Sequence, residues 1–467
     1  MPNGAWPPLQ SRLPGAAWPA VPGQQGLFLA ALLAQLEQSQ WWPAAAIEQA
    51  QLRQLRVLLE HARSHSRFHA ERIGGVAFRH AQDLHECLAA LPLMRRTDLQ
   101  FRRVEVDCTW VPPEHGELSL AQSTGSTGEP VGIRRSELNG LIWMAMTLRE
   151  HLWQRRDFSK SQAVIRATIA EGDAARLGIS QADWGPPVSH LFVSGPSHGM
   201  NLQTDVRHQA DWLRRIRPDY LLTYPNNLAA LLDLAEDDPV DRAGLGRLVQ
   251  ARTIGETLRD EVRERCRQVL GIEIADLYST QEVGVIAIEC PQGGGYHVMS
   301  EGVVLELLGD EDRPCAAGDT GRIVVTDLHN FATPLIRYDL GDLAEAAAPC
   351  SCGRGLPAIR RVLGRHRNLL RLPDGRRFWP MVGAYAYREI APVHQYQVIQ
   401  RSLERVTMRL AAERTLTAGE EARLAEKLCE YFGHRFAVDF EYFAPNIPRG
   451  PGGKFEDFIC EMDVGAP

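Results

Sequence analysis

Several things are scarce in this 467-residue chain, and each scarcity excludes a class of protein. There is no excess of positive charge. The net charge is −7, which argues against a general nucleic-acid binder. Long hydrophobic runs are missing too. The apolar stretch Gly26–Leu36, "GLFLAALLAQL", is too short to span a bilayer. Only Arg12 precedes it as a basic residue, so the charged start of a secretory signal is lacking and no membrane partner is expected. With no sign of export, the nine cysteines are expected in a reducing cytoplasm, unpaired by disulfides. No internal repeat is visible. Finally, the loop "QSTGSTGEP" (122–130) is rich in Gly, Ser and Thr but lacks the lysine that ends a Walker loop. It can still wrap an anion with hydroxyls and main-chain N–H groups, because glycine lets the backbone approach closely. The compensating positive charge must then come from elsewhere.

What is present reads as an α/β protein. Apolar residues make up 44%, enough for a sizeable core. Residues 46–72 read as one long helix, and Thr97 as the N-cap of another. From 120 to 330, short apolar runs alternate with helical periods. The runs are "AVIRATI" (163–169), "VSHLFVS" (188–194), "YLLTYP" (220–225), "LVQARTIG" (248–255) and "IEIADLYS" (272–279); the helices fall at 207–216, 226–236 and 258–270. That alternation predicts mixed, largely parallel sheets. "GVVLELLG" and "GRIVVTDL" read as an antiparallel hairpin. The rhythm changes at "GRHRN" (364–368), which predicts a large N-terminal domain over 51–363, after a Pro/Trp-rich leader and helix in 1–50. A small, mobile α+β domain follows over 364–467, with strands at "QYQVIQR" and "RVTMRLAA", a helix at 417–432 and a strand at 435–443.

Six motifs in order resemble the adenylate-forming enzymes, the acyl-CoA synthetase superfamily. "QSTGSTGEP" is similar to its phosphate loop, "TIGETL" (253–258) to the segment beside the adenine, and "YSTQE" (278–282) to its Tyr-Gly-x-Thr-Glu motif. "RYDLGD" (337–342) resembles its ribose motif, "GRHRN" its hinge, and "RGPGGKF" (449–455) its catalytic-lysine loop. "LLEHARSHSRFHAERI" (58–73), "IECPQGGGYH" (288–297), "HNFATPLIRYDLGD" (329–342) and "CSCGR" (350–354) bring the resemblance closest to the phenylacetate-CoA ligase-like branch, over about residues 55–460.

The resemblance implies that a carboxylic acid is joined to the α-phosphate of ATP and the acyl group then passed to a thiol, with CoA the expected acceptor and an aryl or arylacetic-type acid the substrate. It places Ser123, Thr124, Gly125, Ser126, Thr127 and Gly128 on the phosphates, Gly255, Glu256, Tyr278 and Ser279 around the nucleotide, Asp342 on the ribose, and Arg365 on the ribose or the phosphates. Glu282 would hold Mg²⁺, a hard ion that prefers oxygen ligands. Lys454, on the small domain, would bring the missing charge for one half-reaction and withdraw for the next. Tyr224, Pro225 and Gln281 are candidates for the acid pocket, Tyr224 and Pro225 being equally readable as core.

Cys290, His297, Cys350 and Cys352 supply three thiolates and an imidazole, an acceptable tetrahedral zinc set. Buried free thiols are the competing reading. The branch carries the same Cys/His pattern, which implies structural zinc. The chain departs from the branch at Ser279 and Gln281, at Arg367-Asn368 in the hinge and at "LRLPDGRRFWP" (370–380), changes that bear on the acceptor more than on adenylation. Two alternatives follow: transfer to a carrier-protein thiol or an amine, and an inactive nucleotide-binding regulatory protein. A homodimer is compatible with either. Intact Glu282, Asp342 and Lys454 weigh against the regulator.

Overall fold

The structure is a computed structural model that describes residues 6–76, 78, 80–122, 131–169, 177–365, 368–378, 380, 387, 389–444, 446–450 and 455–462. The sequence alternation between 160 and 280 produces five parallel strands, in spatial order Ser197–Asn201, Gln162–Arg166, Tyr220–Thr223, Gln250–Ile254 and Glu273–Thr280. Antiparallel strands extend this run into a mixed sheet that has twelve strands among the described residues. Next to Glu273–Thr280 come Gly284–Glu289, Tyr296–Val298, Ala358–Arg365, Tyr338–Ala346, Thr320–Asp327 and Val303–Leu308. The last two form the expected hairpin, pairing Val303 with Asp327.

Alternation along the strands builds two cores. Ala163, Ile165, Leu221 and Ala251 face helices Val206–Ile216, Pro225–Asp237 and Asp260–Leu270. The opposite face meets helix Glu137–Trp153, on which helix Gln24–Ser39 buries Leu29, Leu33 and Leu36. Leu9 bridges to Phe192, so residues from the Pro/Trp-rich start pack into the large body. No helix among the described residues is long and apolar enough to cross a membrane.

Three local expectations fail. The helix over 46–72 breaks at Ser66, which is extended and accepts a hydrogen bond from His69 N, so Ala44–His65 and Arg67–Ile73 are separate helices. A serine that caps a second helix offers the backbone an alternative to continuing the first. Thr97 lies inside helix Arg96–Val106; the N-cap is Arg95, whose N–H donates to Asp98. "VSHLFVS" contains the short helix Val188–Leu191 after Pro187 in place of a strand.

A four-stranded sheet belongs to the C-terminal part. Its order is Ala437–Phe443, Arg405–Ala412, Val393–Gln400, Phe458–Cys460, covered by helix Ala418–Phe432. Thr417 and Glu420 form a reciprocal capping box at that helix's start. Its core, with Val398, Met408, Leu424 and Phe458, is separate from those of the large sheet.

Candidate active site

The ends of neighbouring parallel strands are where α/β sheets present ligand sites, because the chain must turn there. Strands Gln250–Ile254 and Glu273–Thr280 pair in register, Ile254 opposite Leu277. Gly255, with φ +79°, turns the first strand out of the sheet. The second runs into Gln281 and Glu282 before the chain reverses at Gly284, whose φ is +98°. A Cβ on Gly284 would meet the Trp143 ring at 3.3 Å, so this reversal needs glycine twice over. Asp342 and Arg365 are cross-strand partners on the adjoining antiparallel pair. These segments enclose a cavity of about 330 Å³ lined by Gly255, Glu256, Tyr278, Ser279, Gln281, Glu282, Asp342 and Arg365. Eight sequence candidates therefore share one cavity.

Its polar groups are linked. Tyr278 donates its phenol to Asp342 Oδ2 at 2.6 Å, and Arg365 Nε lies 3.1 Å from Oδ1 of the same carboxylate. Burial, then the Asp342 charge and hydrogen bond, hold the Tyr278 phenol well above its ordinary value. The Asp342 carboxylate raises Arg365 in turn. Both groups keep their usual charge state at neutral pH. Glu282 is buried, with Oε1 3.1 Å from Arg96 Nη1. Arg96 also lines the cavity. The sequence reading gave it no role, since its partner lies 186 residues along the chain.

Other candidates are placed differently. Glu256 has both oxygens engaged by the protein: Asn226 N donates to Oε2 at 3.1 Å and Phe455 N to Oε1 at 2.9 Å, with Arg449 3.6 Å away. Its carboxylate thus holds the C-terminal segment while also lining the cavity. Asp457 pairs with Arg259 at 3.1 Å, and Arg259 donates to the Tyr396 phenol at 2.8 Å. The small domain thus closes one side of the cavity through Phe455, Glu456, Asp457 and Phe458. Tyr224 packs into the core beside Leu228, and Pro225 starts a helix. Neither lines the cavity; Asn226 does.

The loop residues Ser123, Thr124, Gly125, Ser126, Thr127 and Gly128, and Lys454, lie outside the described residues. The loop's two ends are pinned by the hairpin Leu118–Gln122 with Gly132–Ser136, which pairs Gln122 with Gly132. Phe455 directly follows Lys454 in the chain and lines the cavity.

Cys290, His297, Cys350 and Cys352 converge, their ligand atoms all within 4.8 Å of one another. Cys350 Sγ and Cys290 Sγ are 3.8 Å apart, and His297 Nε2 is 3.2 Å from Cys352 Sγ. His297 Nδ1 donates to the Leu356 carbonyl at 3.2 Å, leaving Nε2 as the inward atom. Trp153 packs edge-on against His297, and the Arg354 guanidinium sits 4.2 Å from the Trp153 ring. Gln40 accepts from Arg354 at 2.8 Å, so the N-terminal segment covers the cluster.

No family model matches the chain. A phenylacetate-coenzyme A ligase of Pseudomonas putida is 26% identical over 70% of this chain and 72% of its own length. One of Thermus thermophilus is 28% identical over 68% and 69%. Among solved structures, 2-hydroxyisobutyryl-CoA ligase in its postadenylation state superposes with a TM-score of 0.70 at 17% identity, covering 91% of this chain and 92% of that one. The same enzyme in its thioesterification state gives 0.58. In sequence the chain is similar to phenylacetate-coenzyme A ligases, and in fold to 2-hydroxyisobutyryl-CoA ligase.

Proposed function

We propose that the chain is an AMP-forming acid–thiol ligase that activates a carboxylic acid as its acyl-adenylate and passes the acyl group to CoA. The observation that carries this reading is the linked set Tyr278–Asp342–Arg365 beside Glu282 in one cavity, closed by the segment that follows Lys454. Asp342, held by a phenol and a guanidinium, is oriented to accept ribose hydroxyls. Tyr278 offers its ring to the adenine. The Ser/Thr/Gly loop takes the phosphates. Glu282 is a buried carboxylate paired with Arg96, with the Arg135 and Arg365 charges also acting on it, and its oxygens suit a Mg²⁺ ligand; the ion would supply charge neutralisation at the phosphates. Lys454 supplies the cation that the loop lacks. The names of the sequence relatives favour CoA over a carrier protein or an amine, and an arylacetic-type acid as substrate. ATP, CoA and nine free thiols all fit a cytoplasmic setting.

We also assign zinc to Cys290, His297, Cys350 and Cys352. A tetrahedral zinc with sulfurs at about 2.3 Å sets neighbouring sulfurs about 3.8 Å apart. The Cys350–Cys290 separation agrees. Four protein ligands leave no open position, so the role is structural.

The deciding experiment is acid-dependent exchange of labelled pyrophosphate into ATP over a panel of carboxylic acids. Exchange with one or more acids is the expected result. Tight nucleotide binding with no exchange for any acid would favour the regulatory alternative.

A further inference from the structure

An arginine stands where a helix start disfavours one. Arg259 is the N-cap of helix Asp260–Leu270, and its side chain makes no capping hydrogen bond. A guanidinium has no acceptor to offer the first N–H groups, and it brings positive charge to the positive end of the helix dipole. Serine, aspartate or asparagine would serve the helix better. A residue that breaks a local rule is explained by what it touches.

Arg259 ends the segment Gly255–Arg259, which leaves the large sheet at Gly255 and lines the cavity along its length. Its Nη1 lies 3.1 Å from Asp457 Oδ2 and donates to the Tyr396 phenol at 2.8 Å. These partners belong to neighbouring strands of the C-terminal sheet. Tyr396 lies in Val393–Gln400, and Asp457 directly precedes Phe458–Cys460, whose Phe458 is opposite Val398. The Asp457 carbonyl accepts from Val398 N at 2.8 Å, so the two partners form one piece. Tyr396 is buried, and the Arg259 and Asp457 side chains are mostly so. Burial opposes the charge of Arg259, but the Asp457 carboxylate and the phenol outweigh it, so the guanidinium stays charged. A charge-assisted hydrogen bond in such surroundings holds its geometry closely.

Glu256, at the other end of the same segment, makes a second contact. Phe455 N donates to its Oε1 at 2.9 Å, and Asn226 Nδ2 donates to the Phe455 carbonyl at 3.3 Å. One anchor would leave the C-terminal sheet free to pivot about it. Two separated anchors fix its direction. Glu256 holds the segment that follows Lys454 in the chain, and Arg259 holds the sheet from which that segment runs. We propose that Arg259 is a positioning residue for adenylation: by gripping Tyr396 and Asp457 it keeps the segment that starts at Phe455 against the cavity. This rests on the adenylation reading above, and a measurement without chemistry separates the two.

Arg259→Met removes the guanidinium and keeps most of the side chain's bulk. Maximal acid-dependent pyrophosphate exchange should fall about tenfold to a hundredfold, since a displacement of about 1 Å costs up to that much in a positioned reaction. The Michaelis constant for ATP and the rate of transfer from supplied acyl-adenylate should each stay within about threefold, because Tyr278 and Asp342 are untouched. Arg259→Lys should recover part of the loss, since an ammonium can pair with Asp457 but lacks the planar fork. Hydrogen exchange followed by mass spectrometry gives the reading without chemistry. The Phe455 amide crosses to Glu256 and should lose protection in Arg259→Met, while that of Val398, bonded within the C-terminal sheet, should keep it. Equal slowing of both half-reactions overturns the proposal. So does unchanged protection at Phe455, or lost protection with wild-type adenylation. If Arg259→Met misfolds, Asp457→Asn breaks the same pair from the other side and decides by the same readings. Lost protection at Phe455, in a protein whose wild type exchanges pyrophosphate with no acid, leaves the grip standing and sinks adenylation.

Discussion

The reaction cavity and the Cys/His cluster share a stretch of sheet yet are built in opposite ways. Glu289 lines the cavity and the next residue, Cys290, belongs to the cluster. The cavity draws its polar groups from Arg96 to Asp457, and one wall is the C-terminal segment Phe455, Glu456, Asp457 and Phe458. The cluster draws its four ligands from Cys290 to Cys352 within one domain, and is sealed by Trp153, the Leu356 carbonyl and the Gln40 segment. A site that exchanges ligands needs groups that can change partners. A site that only holds the fold together needs closure. Each prediction below removes a group from one region and asks whether the other responds.

Lys454→Ala should have the largest effect. Negative charge develops at the α-phosphate, and an ammonium aimed at it is worth about 3–4 kcal/mol, or about 10²–10³ in rate. Pyrophosphate exchange should fall by that factor, while acyl transfer from supplied acyl-adenylate is nearly spared. Zinc content should not change. Equal loss in both half-reactions would make the lysine structural.

Cys350→Ala tests the other region. Metal analysis of the wild type should give about one zinc per chain, and the variant should lose it. Losing a structural metal should lower stability, read as a lower unfolding midpoint, because metal binding is coupled to folding. The rate of exchange by the fraction that remains folded should stay within about threefold of wild type, since Cys350 touches no cavity group. A stable, metal-free wild-type protein prepared without chelators would remove the contrast.

Legibility followed the same division. The four clustered residues could be singled out because few residue types bind zinc and they lie close in sequence, and the structure brings them together. The parallel strands were readable because their apolar runs repeat between helices. The cavity was only partly so. Asp342, Arg365, Tyr278 and Glu282 stand in motifs, but Arg96 is an arginine in an Arg-rich helix with nothing local to mark it. One signal was available and unused: the chain has three lysines among 51 basic residues, which sets Lys454 apart from a chance surface cation. Tyr224 and Pro225 stayed open between pocket and core, because a strand-end aromatic reads alike in either; Tyr224 packs in the core.

Asp342→Asn should sharpen the cavity side. An amide keeps one acceptor for Tyr278 but loses the charge facing Arg365 and one acceptor for a diol. The Michaelis constant for ATP should rise about tenfold, with maximal exchange changed less, because a hydrogen bond to a charged group is worth about 1.5–3 kcal/mol and part of it is lost. Zinc content again should not move. A rise confined to the acid's Michaelis constant would mean that Asp342 faces the acid.

The smallest effect is expected at Glu256, where the cavity meets its C-terminal wall. Its carboxylate accepts from Asn226 N and Phe455 N, with Arg449 near, and burial raises its pKa above the usual carboxylate range. The folded protein therefore holds this proton more tightly than the unfolded chain does. That linkage contributes stability below about pH 4.3, and the contribution is lost as pH rises through the raised value. Glu256→Gln abolishes the titration, so its stability should vary less with pH across that window than the wild type's. The amide accepts through one oxygen only, so one backbone N–H, on Asn226 or on Phe455, loses its partner. If Phe455 is the one released, the segment carrying Lys454 docks less firmly. Adenylation should then slow by about threefold to tenfold, the worth of one modest hydrogen bond of about 1 kcal/mol, and transfer from supplied acyl-adenylate should not. Equal slowing of both steps would show that Glu256 supports the large domain alone. Unchanged adenylation with a flattened pH curve would show that Asn226 is the partner that matters, and that the wall is held by Arg259 and Asp457 instead.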